Sequence, residues 1–211
     1  MFMDTRVIKL DAEKPKPSLI AGAAEQIDAG GLVSFPTETV YGIACAVTSE
    51  AIEKLNTIKA RSAGKFYTLH IGDKHDVHKY VPDMNLRAKK LIDKYWPGPL
   101  TVVFELSDEQ ISKQKTALDA ETFSILYNDN TIGIRCPDNE IAKLLLKKTK
   151  SPVVAPSANI TGQLPPVNAS DVYKSLYGNI EVLIDGGECK YKKSSTVVKI
   201  TKSNVQILRE G

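Results

Sequence analysis

The brevity of its apolar runs constrains this chain's fold more than any other feature. Leu32–Phe35, Ile43–Val47, Ile132–Cys136, Pro152–Ala155 and Glu181–Ile184 are each a few residues long, and each stops at a proline, a glycine pair or a polar cluster. Runs so short and so bounded fit buried strands and cannot make core helices. Phe66–Ile71, Leu100–Leu106, Ser195–Ile200 and Val205–Leu208 read as further strands.

Stretches of helical period stand between them. After an extended Lys14–Pro17 lead-in, Ser18 caps a helix to about Ala29, with Leu19, Ile20, Ala23, Ala24 and Ile27 on one face and Gly30-Gly31 as its stop. Ser49 opens a helix to about Lys59. Asn85–Tyr95 forms another, broken by Trp96-Pro-Gly-Pro99. Asp138 caps Ile141–Lys148, and Ser170 caps a further helix. Asp108–Asn130 has weak periodicity and reads as irregular structure with a short helix at most. Strands alternate with helices, yet several strands follow one another directly. That pattern predicts an α/β fold with a twisted mixed sheet and flanking helices. No stretch resembles a linker, so one domain over 1–211, with its core at about 18–209, is expected.

Of 211 residues, 42% are hydrophobic and 25% charged, which excludes a disordered or collagen-like chain. No apolar run approaches the ~20 residues of a membrane-spanning helix. The start, Met-Phe-Met-Asp-Thr-Arg, lacks the apolar stretch of a signal peptide, so a cytoplasmic location without membrane contact is expected. Cys45, Cys136 and Cys189 are widely spaced, which suits a reducing compartment and argues against a structural zinc site. Their apolar strand contexts make Cys45 and Cys136 buried and inert. The net charge of +3 is too slight to argue for nucleic acid, so an anionic ligand would depend on a few placed cations.

Four polar stretches lie at strand ends, where α/β proteins place ligands. Pro36-Thr-Glu-Thr-Val-Tyr-Gly42 packs two hydroxyls, a carboxylate and a phenol into one turn, either for a small polar ligand or to satisfy the loop backbone. Lys59-Ala-Arg61, followed by Lys65 and His70, can grip a polyphosphate or complement a helix dipole. Thr131, Gly133 and Arg135 share one strand face, which suits a carboxylate or lies open to solvent. Pro156-Ser-Ala-Asn159-Ile-Thr-Gly162 offers donors and acceptors for phosphate, ribose or base, and is equally ordinary as a turn. Neither Gly-x-Gly-x-x-Gly nor Gly-x-x-x-x-Gly-Lys-Ser/Thr occurs. Asp73, His75, Asp76 and His78 lack an obvious fourth ligand for a metal.

Taken in order, these stretches resemble the YrdC-like family, the threonylcarbamoyl-AMP synthases. The matching pieces are Phe35–Gly42, Lys59-x-Arg61 with His70, Trp96-Pro-Gly-Pro-Leu-Thr101, Gly133-Ile-Arg135, Pro156-Ser-Ala-Asn159 with Gly162, Ser195-Thr-Val197 and Ile207-Leu-Arg209. The resemblance implies a short, single-domain synthase with a large concave basic pocket. It would make threonylcarbamoyl-AMP and pyrophosphate from L-threonine, bicarbonate or CO2, and ATP, for tRNA modification. By position, Thr37, His70, Arg135 and Ser195 would hold threonine. Lys59, Arg61 and Lys65 would meet phosphates, with Mg2+ arriving on ATP and no metal ligand from the protein. Thr131, Ala155, Ser157, Asn159, Pro165 and Arg209 would line the nucleotide side. The implied partners are a downstream threonylcarbamoyl-transferase and tRNA or double-stranded RNA. Ser62 and Lys65-Phe-Tyr67 depart from the family's usual prolines and Asn-Pro-Leu, toward the YciO-like branch. Two alternatives accompany this reading: a non-catalytic RNA-binding protein on the same surface, and a related carbamoyl-adenylate enzyme.

Overall fold

The strand Gly42–Ala46 shows why the apolar runs are continuous. Its Ile43 and Cys45 enter one core cluster while Ala44 and Ala46 enter another, so both faces of the sheet are covered. The computed structural model describes residues 4–61, 66–201 and 203–211. Its strands are β1 (Arg6–Lys9), β2 (Val33–Phe35), β3 (Gly42–Ala46), β4 (Leu69–His70), β5 (Leu100–Glu105), β6 (Thr131–Arg135), β7 (Val153–Val154), β8 (Val182–Asp185), β9 (Thr196–Ile200) and β10 (Val205–Arg209). They form one sheet in the order β1-β8-β2-β3-β7-β4-β6-β5-β9-β10. Pairing is mixed: β4 runs parallel to β6 and β5 parallel to β9, while β5 and β6 are antiparallel.

Helices α1 (Pro17–Asp28), α2 (Ser49–Ile58), α3 (Leu86–Tyr95), α4 (Asp108–Ala117), α5 (Ala120–Leu126), α6 (Glu140–Lys148) and α7 (Ala169–Leu176) flank the sheet. Ile20, Ala23, Ala24 and Ile27 of α1 share a core cluster with Ile141, Ala142 and Leu145 of α6. Residues of α2, α3 and α7 join the other cluster with Trp96. The Trp96–Pro99 turn is pinned at both ends. Trp96 Nε1 donates to the Leu100 carbonyl at 2.7 Å, and Gly98 N donates to the Cys136 carbonyl at 2.8 Å. A Cβ on Gly98 would collide with the Tyr95 carbonyl, so the turn requires glycine. No helix among the described residues is long and apolar enough to cross a membrane.

The mixed sheet with flanking helices is as expected, but several boundaries differ. Ser18 does not cap α1: Pro17 opens that helix and Lys16 precedes it without a side-chain cap. The caps of α2, α6 and α7 are Thr48, Asn139 and Asn168, each next to or just ahead of the expected Ser49, Asp138 and Ser170. A cap needs extended backbone one residue before the first helical turn, and composition does not locate that change to within a residue. Asp108–Asn130 is not irregular. It holds α4, opened by a Ser107–Gln110 capping box, and α5, capped by Asp119. Each buries only two residues, Ile111 and Gln114 in one, Thr122 and Leu126 in the other, too few to leave a periodic signal. Phe66–Ile71 keeps strand geometry only at Leu69–His70. The edge strand β1 was not anticipated, since only Ile8 of its four residues is buried.

Candidate functional site

One transverse row of the sheet gathers the chemistry. His70 pairs in register with Arg135, Arg135 with Thr101, Thr101 with Val197, and Val197 with Arg209. Residues directly opposed in a sheet project to the same face. His70, Arg135, Thr101 and Arg209 therefore line one cavity of about 230 Å³. Thr37 reaches it from the loop after β2, Arg61 from beyond α2, Ala155 and Ser157 from beyond β7, and Ser195 from just ahead of β9. Among the described residues its lining holds three arginines and no carboxylate, a balance that favours an anion.

Arg135 is 5% exposed. Its Nη2 donates to Glu38 Oε1 and to Thr39 Oγ1, both at 2.8 Å, while Nε is buried with no partner among the described residues. Thr37 Oγ1 donates to the Val40 carbonyl at 2.7 Å, which closes the turn. Ser195 Oγ lies 2.9 Å from Thr101 Oγ1, and Arg209 Nη2 holds the Ser195 carbonyl at 2.7 Å. A second cavity of about 580 Å³ adjoins the first and shares Val40 and Ser194 with it. Asn159 and Pro165 line this second space. Asn159 spends its amide N–H groups on the Ile160 and Gln163 carbonyls and keeps Oδ1 buried with no partner among the described residues. A ligand hydroxyl or amine would satisfy that oxygen.

His70 Nδ1 lies 3.1 Å from the Thr68 carbonyl, which only accepts, so Nδ1 carries the proton and Nε2 is an acceptor. Burial, with Arg135 beside it, drives its pKa down to about 3. The unfolded chain, with an ordinary histidine near 6.5, therefore takes up a proton that the folded chain refuses. Stability from this group is complete above pH 6.5 and declines as pH falls toward 3. Between pH 6.5 and pH 4 the loss should be about 3 kcal/mol, at ~1.4 kcal/mol per unit. Urea midpoints measured across that range should fall less for His70→Gln than for the wild type. Parallel curves would refute the assignment.

Arg61 is held from two sides. Its Nη2 donates to the Phe66 carbonyl at 3.0 Å, and its guanidinium carbon stands 4.4 Å from the centre of the Tyr67 ring. Tyr67 is itself fixed by a 2.6 Å hydrogen bond to Asn56 Oδ1. Lys59 differs from expectation. It is 3% exposed, lines neither cavity, and donates Nζ to the Ser157 and Asn159 carbonyls, the latter at 2.6 Å. Desolvation and then Arg61 bring its pKa down to about 8. Lys59 is thus a strut between the end of α2 and the Ser157–Asn159 turn. Two of its three donors go to carbonyls about a hundred residues away in sequence, so no local pattern revealed it.

Thr131 also falls away from the cavities. It sits at the far end of β6 from Arg135 and donates Oγ1 to the Asn128 carbonyl at 2.8 Å. Gly133 lines neither cavity. Lys65 lies outside the described residues. Among the described residues no group of three or more His, Cys, Asp or Glu gathers as a metal site. Asp73 instead caps a 3₁₀ turn and pairs with His75 and Lys147. Burial pushes the Cys45 and Cys136 thiols up to about 12. Glu38, Thr39, Thr101 and Tyr67 stood in the sequence only as members of noted stretches, with no role of their own assigned. A glutamate between apolar strands was a usable signal, because a buried carboxylate needs a partner.

The protein-family model Sua5_yciO_yrdC, described as "Telomere recombination", matches residues 25–211. The threonylcarbamoyl-AMP synthase of Pyrococcus abyssi is 36% identical over 190 residues, covering 90% of this chain and 53% of the relative. The putative threonylcarbamoyl-AMP synthase of Methanocaldococcus jannaschii is 32% identical and is covered over 95% of its length. The chain thus spans about half the length of some curated relatives and nearly all of another. The crystal structure of P. abyssi Sua5 complexed with L-threonine superposes with a TM-score of 0.84 at 33% identity, over 97% of this chain and 57% of that one. E. coli YciO shares the fold, with a TM-score of 0.82 at 23% identity over 98% of this chain and 96% of that one. With the matched segment running from within α1 to the last residue, the chain belongs to the Sua5/YciO/YrdC family.

Proposed function

We propose that this chain is a threonylcarbamoyl-AMP synthase, a nucleotidyltransferase that joins L-threonine, CO2 or bicarbonate, and ATP with release of pyrophosphate. The observation that carries the reading is the row that sets neutral His70 beside Arg135, with Arg209 at its other end, in a cavity that also holds Arg61. A single space then offers a cation for a carboxylate, an acceptor for an amine or hydroxyl, and further cations for phosphates. The names of the relatives at 31–36% identity support it, as does the L-threonine bound by P. abyssi Sua5.

In this reading Arg135 grips the threonine carboxylate, while His70 Nε2, Thr37 and Ser195 meet its amine and hydroxyl. The ammonium gives up a proton to solvent, its nitrogen lone pair adds to CO2 with loss of a second proton to solvent to form the carbamate, and a carbamate oxygen displaces pyrophosphate from the α-phosphorus of ATP. No covalent enzyme nucleophile is needed, and alignment with charge neutralisation supplies the rate. Arg61 answers the phosphates, with Arg209 at the C-terminal side. The second cavity takes the nucleoside, where Asn159 Oδ1 awaits a donor. Mg2+ would enter as the triphosphate's companion, and no protein group is assigned to it. The product would pass to a threonylcarbamoyl-transferase that modifies tRNA.

The expected result with ATP and bicarbonate is pyrophosphate release that depends on L-threonine and is much weaker with L-serine. Release independent of the amino acid would overturn the reading.

A further inference from the structure

Glu38 is 3% exposed and does not line the cavity, yet it ties together three segments that do. It lies between Thr37 and Thr39 in the turn after β2. Its Oε1 accepts from Arg135 Nη2 at 2.8 Å, and its Oε2 accepts from Asp138 N at 3.1 Å. Its backbone carbonyl accepts from Tyr191 N at 2.8 Å, in the loop that leads to Ser195. Both side-chain contacts of Arg135 fall on Nη2, so the guanidinium plane is fixed while Nε stays without a partner.

The charge balance follows from this geometry. Glu38 matches Arg135 before any ligand arrives, and His70, the register partner of Arg135, is neutral. The other two arginines of the cavity rest on neutral partners, Arg209 on the Ser195 carbonyl and Arg61 on Tyr67 and the Phe66 carbonyl, so their charge stays available to phosphates and only Arg135 is matched by a carboxylate. A ligand with a carboxylate alone brings a second negative charge to a cation already neutralised by the first. A zwitterion carries its own compensation and adds no net charge to the Arg135–Glu38 pair.

We propose that Glu38 is a positioning residue that determines specificity: by neutralising and orienting Arg135 from behind, it makes that subsite select an amino-acid zwitterion over a simple carboxylate. The proposal rests on the amino-acid reading of the cavity and adds to it the source of the discrimination. A guanidinium backed by a neutral group would lose that discrimination while still gripping carboxylates.

Calorimetry on the whole chain without ATP tests it, with L-threonine and with (R)-3-hydroxybutyrate, which is threonine lacking its amine. The wild type should prefer threonine. In Glu38→Gln the preference ratio should fall about tenfold or more, mainly through tighter binding of hydroxybutyrate. A merely structural role would weaken both ligands in parallel, and that outcome overturns the proposal. Glu38→Asp keeps the charge with a shorter reach, so its ratio should stay within about twofold of wild type even where both affinities fall. Should Glu38→Gln fail to fold, the aspartate variant decides: a retained ratio supports the proposal and a collapsed one overturns it. Absence of threonine binding by the wild type would overturn the amino-acid reading itself and this proposal with it.

Discussion

Arg135→Ala should remove L-threonine binding, with a loss of roughly 2–5 kcal/mol, the range for truncating one partner of a desolvated, hydrogen-bonded charge pair. Arg135 is buried in the cavity row between His70 and Thr101, and its Nε has no partner among the described residues. Truncation would also strand the Glu38 carboxylate, whose Oε1 accepts from Arg135 at 2.8 Å, and an uncompensated buried charge costs about 3–5 kcal/mol of stability. The two losses separate in the double variant. Adding Glu38→Gln to Arg135→Ala removes the stranded charge and should restore most of the urea midpoint, but none of the threonine heat. Unchanged threonine affinity in the single variant would take Arg135 out of the site. Recovery of binding in the double variant would show that the single change had acted through misfolding.

The polar stretches were legible in the sequence because each is bounded by strand signals, and strand ends are where an α/β sheet exposes side chains to ligands. Their assembly was not. His70 and Arg135 meet through parallel pairing of β4 with β6, and Arg209 joins through a register shift between Ile207 and Arg209 on β10. Register is a property of pairs of strands and has no local signature. The glycine-spaced face suggested either a carboxylate site at Arg135 or an open strand surface; Gly133 takes no part in either cavity and Thr131 faces its own turn. Glu38 was visible only as a turn residue, because its partners lie about a hundred residues downstream. The missing helices α4 and α5 carried their information in caps, not in period.

Lys59 and Arg61, two residues apart, should behave differently when truncated. Arg61→Ala should lower threonine-dependent pyrophosphate release by about 10²–10³-fold, the cost of one preorganised charge at a developing oxyanion. The melting temperature should change little, since Arg61 is held by a single carbonyl and the face of Tyr67. Lys59→Ala should act first on the fold. It removes donors from the Ser157 and Asn159 carbonyls, and hydrogen bonds from a charged group contribute ~1.5–3 kcal/mol each. Release of that turn would carry Ser157 out of the first cavity and Asn159 out of the second, so activity falls as a consequence of lost stability. Thermal melts beside turnover distinguish the two residues. A Lys59→Ala chain that melts like the wild type while turnover collapses would return the lysine to the phosphates, and an Arg61→Ala chain with normal turnover would remove the arginine from them.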